Sequence, residues 1–112
     1  MSDIKDLTNK IKKFRDERDW KQFHLPKNLA ISLMLEASEV VELFQWTKDN
    51  KLPKERLQDL KDELGDTYGY LLLLANEFNI DLGKALEEKI KKNEEKYPIE
   101  KSKGKSTKYN KL

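Results

Sequence analysis

Residues 57–78 read LQDLKDELGDTYGYLLLLANEF. Leu57, Leu60, Leu64 and Thr67 recur every three or four residues, which is the period of an amphipathic helix. Beyond Thr67 the segment turns apolar on most sides, through Tyr68, Tyr70 and Leu71–Ala75. A helix that is apolar all round is a buried one. The segment therefore predicts a long helix, from about Pro53 or Lys54 to Phe78, that other helices must cover.

The rest of the chain supplies them. Ile4, Leu7, Ile11 and Phe14 share one face of a helix expected over residues 3–19, with Ser2 or Asp3 as its cap. The stretch WKQFHLP, residues 20–26, does not continue that stripe. Pro26 opens a second helix, expected to reach Lys48, with Asn28 another possible cap. Leu29, Leu33, Ala37, Val40, Val41 and Phe44 form its apolar face. A turn is expected over 48–53. Asp81 caps a fourth helix, Leu82 to Lys96, stopped by Pro98. No alternating run suggests a strand. The expected architecture is an all-α four-helix bundle, with residues 1–98 as the helical domain and 99–112 as an irregular lysine-rich tail.

With 112 residues the chain suits one domain, but only 37% of them are hydrophobic against 39% charged. Such a core is thin, so a homo-oligomer, a dimer or a dimer of dimers, is expected. A net charge of +2 is too small to imply nucleic acid, and the excess lysine is confined to 101–112. The absence of cysteine excludes disulfides and thiolate metal sites. The first ten residues lack the apolar run of a signal peptide, and Leu71–Ala75 is far too short to span a bilayer. A cytoplasmic protein without a membrane partner is expected.

The two central helices share a pattern. One carries Glu36-Ala-Ser-Glu39 and the other Glu63-Leu-Gly-Asp66. Carboxylates three residues apart lie on one helix face, their Cβ atoms about 5–6 Å apart. An antiparallel return would set the two pairs against each other. Two carboxylates about 5 Å apart repel by roughly 3 kcal/mol at an effective dielectric of ~20. Converging acids therefore need protons, basic partners or cations, and Mg²⁺ takes such oxygen ligands. Spacing alone leaves a second reading open, in which these are solvent-facing acids of a non-catalytic interaction module. A di-iron bundle is excluded, because its Glu-x-x-His motifs need histidines and His24 is the only one.

Flanking motifs extend the pattern: Phe23-His24-x-Pro26-Lys27-Asn28-Leu29, Glu42-Leu43-Phe44-Gln45-Trp46, Tyr70, Lys89-x-x-x-Asn93, Tyr97-Pro98 and Gly104-x-Ser106-x-Lys108-Tyr109. Together with the two acidic pairs, these resemble the MazG-like all-α nucleoside triphosphate pyrophosphatases, in particular their dCTP branch. The resemblance spans roughly residues 14–110. It implies Mg²⁺-dependent cleavage of a nucleoside triphosphate to the monophosphate and pyrophosphate, with Glu36, Glu39, Glu63 and Asp66 as metal ligands and catalytic acids. It further implies that Phe23, His24, Trp46 and Tyr70 line a base pocket, with Trp20 nearby. Lys89 and Asn93 would contact phosphate or sugar, and Lys108 and Tyr109 would close over the triphosphate. Gly65 and Gly69, inside the third helix, are expected to permit close helix packing.

Overall fold

The computed structural model describes residues 3–48 and 51–112. Five α-helices and three short 3-10 turns make up the regular structure, with no strand among the described residues. They fall into two compact units, Met1–Ile80 and Asp81–Leu112.

The first unit holds α1 (Ile4–Glu17), α2 (Pro26–Phe44) and α3 (Leu57–Glu77). Asp3 caps α1 by accepting a hydrogen bond from the Asp6 amide at 2.8 Å. The helix ends where Asp19 enters the left-handed region (φ 56°), the Trp20 amide reaching back to the Arg15 carbonyl at 3.1 Å and the Asp19 amide to Asp16. This end motif satisfies carbonyls the helix would leave bare. It also turns the chain so that the Trp20 ring meets Phe14 edge to face, at 5.7 Å.

Pro26 is at the start of α2 as expected, but Asn28 is not its cap. The Asn28 amide instead donates to the Phe23 carbonyl at 3.3 Å, tying the preceding 3-10 turn (Lys21–Phe23) to the helix. The helix ends at Phe44, four residues before the expected boundary. Thr47 explains this, because its amide and its hydroxyl both bond the Phe44 carbonyl (3.2 and 2.8 Å), and side-chain bonds of this kind compete with helix continuation. The turn expected over 48–53 includes residues 49 and 50, which lie outside the described residues.

A 3-10 turn at Lys54–Arg56 leads into α3, and Asn79 (φ 53°) ends it by the same motif that ends α1, Ile80 bonding Ala75. The core lies along α2 and α3, which pack most extensively, with α1 against α3. Its buried members are Leu29, Leu43, Leu72, Leu73 and Ala75, three of them from the all-apolar stretch of α3. The inward stripe of α2 runs Leu29, Leu33, Glu36, Val40, Leu43, whereas Ala37, Val41 and Phe44 are exposed. On α3 the half-buried stripe runs Leu60, Glu63, Thr67, Tyr70, Leu74. Each stripe contains one glutamate at a position that spacing would assign to an apolar side chain.

The second unit holds α4 (Leu82–Lys96), capped by Asp81 through the Lys84 amide at 3.1 Å, and α5 (Ile99–Ser102), which starts just after Pro98. The tail is more ordered than composition suggested. Tyr97 and Tyr109 meet edge to face at 6.1 Å, and the Lys96 ammonium lies 4.9 Å from the Tyr109 ring. These contacts hold a 3-10 turn at Tyr109–Lys111.

Candidate active site

The two inward glutamates meet. Glu36, Glu39 and Glu63 each present a carboxylate oxygen within 4.8 Å of the other two. Glu36 and Glu63 are half-buried and Glu39 is exposed, so the cluster runs from the helix interface to solvent. The backbone beneath it is firm, because all three belong to helix interiors, and Thr67 donates to the Glu63 carbonyl at 2.8 Å. Asp66, one turn beyond Glu63, is exposed and is not in that triad. It borders the cluster all the same, lining a cavity together with Glu36.

No counter-charge offsets these acids: among the described residues, no salt bridge involves any of the four. Glu63 is pushed up to about 7 by a hydrogen bond shared with Glu39, by burial, and by the charges of Glu39, Asp66 and Glu36. Glu36 is raised too, mainly by burial, then by the charge of Glu39 and a hydrogen bond with it, and by Asp66. A hydrogen bond between two carboxyls requires one of them to be protonated. When both are ionised, neither can donate, and Oε2 of Glu36 and of Glu63 are buried without a partner. Buried lone pairs from an all-oxygen donor set suit a hard divalent cation, which removes both the repulsion and the orphaned oxygens. The residues present therefore fit a hard divalent cation, the class to which Mg²⁺ belongs.

Beside the acids lies a cavity of about 260 Å³ lined by Ile11, Phe14, Arg15, Trp20, His24, Glu36, Gly65, Asp66, Gly69, Tyr70 and Leu73. Three of the sequence-predicted pocket residues are thus together: Trp20, His24 and Tyr70. His24 and Tyr70 meet edge to face at 6.1 Å. His24 is held below its ordinary pKa by burial and by the nearby Arg15 charge, with Glu77 opposing, which favours the neutral imidazole. Two predicted members do not line this cavity. Phe23 is exposed, and Trp46, in the left-handed region (φ 69°) just past the end of α2, is 90% exposed. Lys89, Asn93, Lys108 and Tyr109 are exposed residues of the second unit.

Gly65 and Gly69 have a different role from the close helix packing expected of them. A Cβ on Gly65 would meet nothing within 4 Å, and one on Gly69 would make only ordinary contact with Ile11, at 3.6 Å. Neither is needed for helix packing; both leave room in the cavity.

Arg15 is the residue that sequence reasoning missed. It is only 2% exposed, the one charged side chain among the described residues that is fully buried. The sequence did hold a signal. Arg15 stands four residues after Ile11 and next to Phe14, so a charge borders the apolar stripe of α1.

The chain has relatives. Residues 31–112 match the MazG-like family. The dCTP pyrophosphatase 1 of Rattus norvegicus is 39% identical over 115 residues, an alignment that takes in 97% of this chain and 67% of that protein. Its counterpart in Homo sapiens is 37% identical with the same coverage. Among solved structures, a pyrophosphatase from Archaeoglobus fulgidus superimposes with a TM-score of 0.80 at 35% identity, over 88% of this chain and 94% of that one.

Proposed function

The chain belongs to the MazG-like family, and from that premise we propose that it is a Mg²⁺-dependent nucleoside triphosphate pyrophosphohydrolase acting on dCTP or a related deoxynucleotide. The observation that carries this reading is the triad of Glu36, Glu39 and Glu63, with oxygens within 4.8 Å of one another and no basic partner, beside an aromatic cavity.

Glu36, Glu39, Glu63 and Asp66 hold the metal. A Mg²⁺ ion held there would neutralise phosphate charge and lower the pKa of water. Water adds to one phosphorus of the α–β anhydride, the bridging P–O bond breaks, and the monophosphate and pyrophosphate leave. Glu39 accepts the proton of the attacking water. It is the exposed member of the triad and can pass that proton on to solvent. Trp20, His24 and Tyr70 receive the base, and the neutral imidazole avoids placing a second cation beside Arg15. Lys89 and Asn93 contact phosphate or sugar, and Lys108 and Tyr109 cover the triphosphate. The working form is a cytoplasmic homo-oligomer of MazG-like four-helix bundles, with 99–112 as its tail. The exposed apolar side chains of α2, Met34, Leu35 and Val41 among them, support that assembly. Such hydrolysis would remove unwanted nucleoside triphosphates from the pool.

A pyrophosphate-release assay over all canonical nucleotides with Mg²⁺, with Glu36→Gln as control, tests the proposal. Pyrophosphate from dCTP that disappears in the variant is the expected result. Release of orthophosphate instead would move the cleavage position, and no release from any nucleotide would leave the chain a non-catalytic helical module.

A further inference from the structure

A buried guanidinium with an unused donor stands in the cavity wall. Arg15 is 2% exposed. Its Nε donates to Asp16 at 2.8 Å, while Nη1 is buried without a hydrogen-bond partner. Burying a cation costs several kcal/mol unless its donors are satisfied. The pairing with Asp16 offsets part of that cost and fixes the plane of the fork, but the Asp16 side chain is about half exposed and leaves Nη1 unserved. An unserved donor on a residue that lines a cavity, in a group that packing could have replaced with leucine, marks a place for a ligand acceptor.

We propose that Arg15 reads the base, its Nη1 donating to a ring carbonyl oxygen, which in cytosine is O2. This rests on the nucleotide-hydrolase reading above. Three features select the base rather than the phosphates. Phe14, Trp20, His24 and Tyr70 share the cavity wall with Arg15, and aromatic walls accept a flat ring. A neutral carbonyl enters a mostly apolar cavity at small desolvation cost, whereas a polyphosphate enters at a large one. On the proposed reading, a metal held by the acidic cluster would take the phosphates. His24 Nδ1, also buried without a partner, offers a second polar contact to the same ring. Adenine has no carbonyl, so Arg15 separates bases that carry one from the base that does not.

The test is equilibrium binding of dCMP and dAMP, together with hydrolysis of dCTP, dATP and inorganic tripolyphosphate, in wild type, Arg15→Met and Arg15→Lys. The Met variant keeps the bulk of the side chain and leaves Asp16 solvated. A charge-assisted hydrogen bond is worth about 10- to 100-fold in affinity. Arg15→Met should weaken dCMP by that factor and raise KM for dCTP with kcat little changed. Its binding of dAMP and its turnover of tripolyphosphate should hold, and Arg15→Lys should recover part of the dCMP affinity. An equal loss for all nucleotides and for tripolyphosphate would make Arg15 a phosphate ligand and overturn the proposal. So would a fall in Tm with base selectivity unaltered, which is the mark of a structural role. Should the Met variant not fold, wild type decides. There a dCMP analogue with sulfur at position 2, a poor acceptor, must bind more weakly than dCMP, and equal binding overturns the proposal. Binding is read without turnover, so a chain that hydrolyses nothing yet selects dCMP through Arg15 would fail the hydrolase reading alone.

Discussion

At the scale of single residues, the site sets carboxylates close enough to repel one another. Glu63 has its pKa raised from an ordinary 4.5 to about 7, so the folded chain binds this proton more tightly than the unfolded chain does. Stability then falls as pH rises through that window: the contribution is fully present below about 4.5 and lost above about 7. Glu36 acts in the same direction. A metal needs ionised carboxylates, so Mg²⁺ should reverse the trend and stabilise most above pH ~7. Thermal melts from pH 5 to 8, with and without millimolar Mg²⁺, check both halves. Glu63→Gln removes the repulsion as well as the ligand. It should melt higher than wild type without metal, lose the Mg²⁺-dependent shift, and hydrolyse at least about 100-fold more slowly, the scale of a lost transition-state electrostatic contact. A variant that loses activity but keeps the Mg²⁺ shift would remove Glu63 from the ligand set. The acidic pairs themselves were legible in the sequence, because a three-residue spacing is a local property of a helix. The pairing of Arg15 with a cavity was not, because burial of one charge depends on what α3 and the 3-10 turn bring to it.

At the scale of elements, the two glycines of α3 make a separable statement. Gly65 has helical surroundings and open space where a Cβ would go. Gly65→Ala should therefore stabilise by about 1 kcal/mol, the difference in helix propensity. Since Gly65 lines the cavity, the same methyl should raise KM for the nucleotide. Denaturant melts and steady-state kinetics read the two effects apart, and a destabilised Gly65→Ala would contradict the open space seen here. The cap of α4 is a simpler case. Asp81→Ala removes the bond to the Lys84 amide and should cost about 1 kcal/mol. Helix identities and most boundaries were readable from periodicity and caps, α4 with both ends as expected. The misread boundary at Phe44 came from Thr47, whose hydroxyl competes for a helix carbonyl without any glycine or proline to announce it.

At the scale of the whole molecule, a single chain leaves much apolar surface uncovered. Met34 is 66% and Val41 68% exposed, although both lie on α2 between buried Leu29 and Leu43. Trp46 is nearly free of contact in a backbone region that bulky side chains rarely occupy. Light scattering should give a mass of at least twice the 13.3 kDa chain, and Val41→Lys should lower it. A monomeric wild type at micromolar concentration would remove the proposed assembly.

Sequence by itself determined the helices and the spacing of the four acids, because helical period and three-residue spacing are properties of neighbouring residues, but not which side of α2 turns inward, where Glu36 replaces Ala37, Val41 and Phe44. It could not say which acids would meet. The tertiary structure decided that Glu36, Glu39 and Glu63 converge while Asp66 stands one turn aside. It also decided that the cavity closes around Trp20, His24 and Tyr70 without Phe23 or Trp46. The reason is physical. Burial, charge coupling and cavity walls arise only where α1, α2 and α3 are packed together, and residues distant in sequence contribute to each of them.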